Sequence, residues 1–97
     1  MIDAIRLDPA DDVATVLRPL EAGFTATLSG PDGHTRLTLR EAIPAFHKVA
    51  LADLPAGTPI HKYGAVIGAL TAAVAAGGLV HVHNLTSLRA RGEGAVL

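Results

Sequence analysis

Short runs of alternating or β-branched apolar residues, separated by Gly and Pro, dominate the hydrophobic pattern of this chain. Apolar residues at every second position are typical of half-buried strands, and Gly and Pro mark the turns between them. The pattern predicts strands at residues 4–7, 13–17, 24–28, 35–39, 46–50, 58–62 and 79–83. The chain is therefore expected to be an all-β domain.

The clearest predicted hairpin joins residues 24–28 to residues 34–39. The connecting segment, residues 29–33, reads Ser-Gly-Pro-Asp-Gly, and these residue types tolerate turn geometry. Both flanks alternate with a period of two, which places one set of side chains on the core face. The residues expected to face the core are Phe24, Ala26, Leu28, Leu37 and Leu39.

A four-residue motif occurs three times, and a candidate strand follows each copy. The copies are Leu20-Glu21-Ala22-Gly23, Leu54-Pro55-Ala56-Gly57 and Val74-Ala75-Ala76-Gly77. A helical turn that ends at Gly would produce such a motif, so one or two short helical turns are expected, near residues 53–56 and 71–76. Chance similarity in an Ala-rich chain is the alternative. The repeat favours a compact β domain with pseudo-symmetric halves.

The composition describes one small domain without disulfides. The 97 residues carry 8 Lys plus Arg against 9 Asp plus Glu, and they include no Cys. Cations and imidazoles outnumber carboxylates in the second half, which suits a small anionic ligand, although a dispersed solvated surface is the alternative. Nucleic-acid binding is not expected, because the chain lacks a broad basic surface and has only three aromatic residues.

Residues 63–80 contain no charge, and their length approaches that of a membrane-spanning helix. The segment is rich in Gly and Ala, so its transfer into lipid would be only weakly favourable. A buried segment of a soluble domain is the better interpretation, and no membrane association is expected. The first residues lack the basic start and apolar run of a signal peptide, which favours a cytoplasmic location.

The segment Leu79-Val80-His81-Val82-His83-Asn84 carries the densest group of candidate functional side chains. In a strand, residues i and i+2 lie on one face, so His81 and His83 are expected to point the same way. Two imidazoles on one face can bind a divalent metal or transfer protons near neutral pH, and Asn84 adds an amide at the strand end. Catalytic metal sites usually take three protein ligands, so the alternative is that the imidazoles fill a polar niche.

Two further segments place a titratable side chain beside a lysine. They are Phe46-His47-Lys48 and His61-Lys62-Tyr63-Gly64. Such neighbours can bind a carboxylate and tune a general base, and the Tyr63 hydroxyl can donate to an anion. The alternative is that both lysines are solvated and that Tyr63 belongs to the core. No phosphate loop, dinucleotide fingerprint or nucleophile elbow occurs, so acid–base or metal-assisted chemistry remains.

These residues, in this order and spacing, resemble the N-terminal SAF domain of altronate and galactarate dehydratases. The resemblance spans residues 11–84 and rests on Asp12-Val13, His47-Lys48, Gly57, Lys62-Tyr63-Gly64, Ile67-Gly68, Gly77 and Val80-His81-Val82-His83-Asn84. The chain departs from the family pattern at Phe46 and Asp12, where Gly and Asn are usual, and at Gly78, which replaces a common acidic residue. The resemblance implies a β-clip fold over residues 1–88. The residue types at positions 89–94 predict a flexible tail over residues 89–97.

Members of this family eliminate water from sugar acids with the help of a divalent metal, commonly iron, and usually carry a much larger catalytic domain. Some relatives, including sulfolactate sulfo-lyase, divide this architecture between a small and a large subunit. The resemblance therefore implies the small subunit of a two-subunit sugar-acid dehydratase, inactive without a separate large catalytic subunit. The alternatives are the small subunit of a sulfolactate sulfo-lyase-like enzyme, a non-catalytic binding module for hydroxy acids, and a structural assembly domain.

The resemblance also implies roles for seven side chains. The residues expected to bind the hydroxy-acid substrate are Lys48, Lys62, Tyr63 and Asn84, with the lysines on its carboxylate. The residues expected to transfer protons are His47 and His83. The candidate ligands of iron(II) in the assembled enzyme are His83 and His81. The alternatives are that His81 is a supporting or core residue and that this chain alone binds no metal. We expect His47, Lys62 and His83 to meet in one exposed groove.

Overall fold

The computed structural model describes residues 1–87, which form strands joined by tight turns. The strands are β1 (Ala4–Ile5), β2 (Val13–Val16), β3 (Thr25–Gly30), β4 (Gly33–Thr38), β5 (Lys48–Ala50), β6 (Pro59–Lys62), β7 (Ala65–Leu70), β8 (Leu79–Val80) and β9 (Leu85–Ser87). No helix occurs in this part of the chain. The all-β prediction is confirmed. The tail predicted at residues 89–97 lies outside the described residues.

The strands form two sheets. A six-stranded sheet has the order β4-β3-β1-β2-β5-β8, and a three-stranded sheet has the order β6-β7-β9. Strand β1 runs parallel to β3, and the other strand pairs are antiparallel. Two apolar clusters stabilise this arrangement, one around Ala4, Val16 and Val49 and the other around Ile60 and Val80. The side chains of these five residues are completely buried.

The predicted hairpin is confirmed as β3 and β4, which pair along their whole lengths. Only residues 31–32 remain in the turn, so both strands extend into the predicted loop. The expected core residues that are buried are Ala26, Leu28 and Leu39. Leu37 is half-buried, whereas Phe24 is 39% exposed and lies against the Arg18 guanidinium.

The uncharged segment 63–80 folds as a turn, the strand β7, a second turn and the strand β8. The sequence pattern does not predict β9. It does not predict β7 either, because β7 is exposed in its first half and contains Gly68. A Cβ atom at Gly68 would lie 2.2 Å from the carbonyl oxygen of Thr86, so the close pairing of β7 with β9 requires glycine there. Within the described residues, no helix is long and apolar enough to cross a membrane.

The recurring motif forms four equivalent turns instead of helical turns. The fourth copy is Ile43-Pro44-Ala45-Phe46. In every copy the carbonyl of the second residue accepts a hydrogen bond from the N–H three residues later, and the fourth residue has a positive φ. The helical turns expected near residues 53–56 and 71–76 are wrong, because the chain reverses there. The first residues of the copies pair with each other, as Leu20 with Ile43 and Leu54 with Val74.

Each turn attaches to a neighbouring strand or strand end in the same way. The N–H of the positive-φ residue donates to the backbone carbonyl of a residue in the neighbouring segment. The N–H of that neighbouring residue donates in return to the carbonyl of the residue that follows the positive-φ residue. The four positive-φ residues are Gly23, Phe46, Gly57 and Gly77. Glycine tolerates this conformation, whereas a residue with a side chain is destabilised there by about 1–2 kcal/mol.

Candidate functional site

A groove of about 650 Å³ lies where the start of β5, the turn between β6 and β7, and the segment after β8 meet. Four predicted site residues line it: Lys48, Lys62, Tyr63 and His81. The apolar part of its wall consists of Ile67, Val82 and Leu85. The described lining contains two lysines and no carboxylate, so the groove carries a net positive charge.

The pKa of Lys48 depends on its surroundings in the groove. Lys48 begins β5 and pairs with Val80, which places it beside the segment that carries His81. Burial and the nearby charge of Lys62 lower the pKa of Lys48. The Lys62 ammonium lies 4.7 Å from the centre of the Tyr63 ring, within cation–π distance. A carboxylate bound between the two ammonium groups would relieve their repulsion, so the groove suits a small organic anion.

His47 joins the groove through its contact with His81. The two ring centres are 4.6 Å apart, and the rings are tilted by 57°. His47 Nδ1 lies 2.9 Å from the carbonyl oxygen of Ala45, and a protonated Nδ1 that donates to this oxygen leaves Nε2 free to accept a proton. Burial, followed by the charges of the neighbouring imidazoles and of Lys48, lowers the pKa of His81. Both effects favour the neutral form of the His81 imidazole.

The strand predicted over residues 79–83 ends at Val80, and residues 81–84 form a turn. The buried side chain of Asn84 closes this turn. Its Oδ1 accepts a hydrogen bond from the backbone N–H of His81 at 2.9 Å, and its Nδ2 donates to the carbonyl oxygen of Leu79 at 2.8 Å. Side-chain bonds of this kind compete with strand pairing. Both polar ends of Asn84 bind the backbone, and its expected contact with substrate hydroxyl groups stays a prediction.

His83 is exposed and lies outside the groove. It lines a separate depression that also includes Arg40 and Glu41. The expectation that His81 and His83 share a strand face is wrong, because alternation by residue requires a strand and these residues lie in a turn. The structure therefore places Lys62 in the groove and His47 at its edge, but not His83. A catalytic role for His83 stays a prediction.

Two carboxylates outside the predicted site, those of Asp11 and Asp12, hold the turn between β6 and β7. Asp11 Oδ1 accepts a hydrogen bond from the backbone N–H of Gly64 at 2.8 Å. Asp12 Oδ2 accepts the backbone N–H of His61 at 2.8 Å and lies 3.0 Å from its Nδ1. The two residues between these anchor points are Lys62 and Tyr63, and both line the groove. The partners are 53 and 49 residues apart, so no local sequence pattern reveals them.

The described part of the chain does not by itself fit a metal centre. No group of three or more His, Cys, Asp or Glu side chains among residues 1–87 could hold a metal ion. The predicted ligand pair, His81 and His83, lines two different depressions. The imidazoles of the groove can supply only part of the three-ligand set that catalytic metals usually take.

Sequence comparisons connect the chain to enzymes of known activity. Residues 2–88 match the family described as altronate/galactarate dehydratase SAF domain. The chain is 39% identical over 80 residues to altronate dehydratase and 41% identical over 73 residues to galactarate dehydratase (L-threo-forming), both from Escherichia coli (strain K12). These matches cover 82% and 75% of this chain but only 15% and 13% of the two dehydratases.

A relative of similar length is (2R)-sulfolactate sulfo-lyase subunit alpha from Chromohalobacter salexigens. The chain is 33% identical to it over 91 residues. This match covers 91% of the chain and 97% of the sulfo-lyase subunit. The chain thus spans a small fraction of the two dehydratases and nearly the whole of this subunit.

Proposed function

We propose a function on the premise that this chain belongs to the altronate/galactarate dehydratase SAF domain family. The chain is the small subunit of a cytoplasmic two-subunit lyase that eliminates water from a sugar acid. Its groove binds the substrate carboxylate, and a separate large subunit covers the groove and supplies the remainder of the catalytic site. The observation that carries this proposal is the pair of lysines in a groove whose described lining has no acidic side chain.

The reaction removes a proton from the carbon next to the carboxylate and a hydroxide from the following carbon. The two leave as water, and the resulting enol becomes a 2-oxo acid. Lys48 and Lys62 hold the carboxylate, and their charge favours loss of the adjacent proton. His47 Nε2 accepts or returns a proton, and the Tyr63 hydroxyl donates to a substrate hydroxyl group. His83 takes part where the large subunit extends the site beyond the groove.

A divalent metal such as iron(II) would take most of its ligands from the large subunit. The reason is that the described part of this chain offers no group of three ligating side chains. The roles assigned to Lys48, Lys62 and His47 do not depend on the metal.

The match along nearly the full sulfo-lyase subunit supports a second candidate function. In that case the group that leaves the substrate is a sulfonate instead of a hydroxyl group. A carboxylate lies close to the reacting carbons in both kinds of substrate, so the same two lysines would serve either reaction. The identity of the leaving group then depends on contacts made by the large subunit.

Reconstitution with the large subunit from the same organism tests the proposal. The complex is expected to form a 2-oxo acid from altronate or galactarate, whereas the second candidate predicts sulfite release from (2R)-sulfolactate. Lys62→Met is expected to raise KM by about tenfold or more with a smaller change in kcat, because this cation acts mainly in substrate binding. Arg36→Met is the matched control, because it removes an exposed cation outside the groove.

Three results would each contradict the proposed function. The first is that the chain forms no complex with the large subunit, and the second is that the complex turns over none of the three acids. The third is turnover with a KM that Lys62→Met leaves unchanged.

A further inference from the structure

Phe46 occupies a backbone position that three equivalent turns of this chain give to glycine. The φ angle is 63° at Phe46, against 85°, 86° and 85° at Gly23, Gly57 and Gly77. The same reciprocal pair of backbone hydrogen bonds holds all four turns in place. The fold therefore imposes this left-handed conformation on residue 46, and a glycine would relieve the strain.

Burial within the chain does not compensate for this strain. The Phe46 side chain is 73% exposed. An aromatic ring stabilises a fold mainly through its removal from water, and a ring exposed to this degree contributes little. The short polar residues Asn and Asp tolerate left-handed backbone better than a bulky aromatic residue does. A strained and exposed phenylalanine therefore indicates a contact outside this chain.

The position of Phe46 indicates where that contact lies. Phe46 precedes His47, whose ring packs against His81 at the groove. Val82 follows His81 and is 80% exposed, and Tyr63 on the same groove is 56% exposed. Val82 and Tyr63 thus add exposed apolar surface to the groove beside its two lysines, and Phe46 is adjacent in sequence to His47 at the edge of this groove. Aromatic side chains at the centre of an interface, next to charged groups that set its orientation, are typical of binding hot spots.

We propose that Phe46 anchors the large subunit by inserting its ring into an apolar pocket of that subunit. This inference rests on the proposed function, because it takes the large subunit as the partner. The groove is open to solvent, because Tyr63 and Val82 on its lining are largely exposed, so the subunit that completes the site must approach over these residues.

Three variants of the full chain separate the ring from the backbone strain. Phe46→Ala removes the ring and keeps a side chain at positive φ, whereas Phe46→Gly removes both. Leu7→Ala is the control, because Leu7 is 60% exposed and does not line the groove. The measurements are the dissociation constant for the large subunit and the urea midpoint of each variant alone.

We expect both Phe46 variants to weaken binding of the large subunit by about tenfold or more. Phe46→Gly should have a higher urea midpoint than Phe46→Ala, because it alone relieves the strain. Leu7→Ala should bind as the unmodified chain does. If the unmodified chain binds the large subunit and Phe46→Ala binds equally well, the anchor is excluded while the proposed function stands. If the unmodified chain does not bind, both fail. If the two Phe46 variants have the same midpoint, the strain argument is wrong.

Discussion

Lys48 is a side chain whose protonation depends on what the groove contains. Burial withdraws water from its ammonium group and Lys62 adds a like charge, and both effects lower its pKa. A carboxylate in the groove would act in the opposite direction, since it stabilises the charged form. Anion binding and protonation of Lys48 are therefore coupled.

Lys62→Met is expected to raise the pKa of Lys48 in the isolated chain. The pKa should stay below its ordinary value of 10.5, because burial is the larger cause of the shift and remains in the variant. NMR titration of the lysine side-chain resonances measures the change. Arg36→Met should leave the titration of Lys48 unchanged, and an unaltered Lys48 pKa in Lys62→Met would show that the two charges do not interact.

His81 is expected to make the fold sensitive to mild acid. Its pKa in the folded chain is below the ordinary histidine value of 6.5, so the unfolded chain binds more protons between these two values. The free energy of unfolding should therefore begin to fall as the pH decreases below 6.5, and the loss from this group is complete once the pH is below the folded-state pKa.

His81→Gln should remove that part of the pH dependence, which urea denaturation across this range would measure. The matched control is His34→Gln, which changes an exposed imidazole on β4 and should retain the wild-type pH profile. The prediction is contradicted if His81→Gln loses as much stability in acid as the wild type does.

Asp11 is expected to act by positioning the turn that carries Lys62 and Tyr63. Asp11→Ala would leave the Gly64 N–H without its partner and destabilise the fold by about 1–3 kcal/mol, whereas Asp11→Asn keeps an oxygen that can accept this bond. Hydrogen exchange at the Gly64 amide should accelerate in the Ala variant and remain slow in the Asn variant. Equal exchange in both variants would mean that Asp11 does not hold this turn.

At the scale of elements, one turn design is used four times. In every copy a positive-φ residue and the residue after it bond to one residue of a neighbouring segment. The requirement for glycine differs between copies, however. At Gly77 a Cβ atom would lie 2.3 Å from the carbonyl oxygen of Thr38, whereas at Gly23 nothing lies within 4 Å. The turn at Gly77 is packed against another segment, and the turn at Gly23 is open to solvent.

Gly77→Ala and Gly23→Ala form a matched pair, because both glycines have a φ of 85°. Gly23→Ala should lower the free energy of unfolding by about 1–2 kcal/mol, through backbone strain alone. Gly77→Ala should exceed this by about 1–3 kcal/mol, since the methyl group also collides with backbone. Urea denaturation measures both values. Equal losses would show that the neighbouring chain moves away at Gly77.

At the scale of the whole molecule, the groove is open to solvent. The two apolar clusters hold the strands, and the groove with its lysines and imidazoles lies on the surface beside them. Tyr63 and Val82 on its lining are largely exposed, so a substrate bound there would remain in contact with water. Elimination chemistry needs a site that excludes water and surrounds the reacting carbons.

The isolated chain is accordingly expected to bind hydroxy acids weakly and to show no dehydratase activity, with or without added iron(II) or magnesium. Formation of a 2-oxo acid from altronate or galactarate is the measurement, and the complex with the large subunit is the positive control. Turnover by the pure chain would contradict the view that the large subunit completes the site.

Local patterns predicted much of this fold and part of its site. Alternation in residues 24–28 and 34–39 predicted the β3–β4 hairpin, because a period of two has one structural meaning when one face is buried. The same reasoning missed β7, where Gly68 interrupts the pattern, and extended β8 too far, since Asn84 captures the backbone after Val80. Residue types together with the family resemblance selected Lys48, Lys62 and Tyr63, which do line one groove.

The sequence by itself determined the all-β class, the β3–β4 hairpin and the membership of the chain in its family, because these depend on residue order along the chain. Only the tertiary structure decided which side chains meet. It separated His83 from His81, revealed the bonds of Asp11 and Asp12 to a turn about fifty positions away, and showed that Phe46 adopts the positive φ that glycine has in the equivalent turns. Such contacts depend on how distant segments pack, and a pattern of neighbouring residues contains no record of that packing.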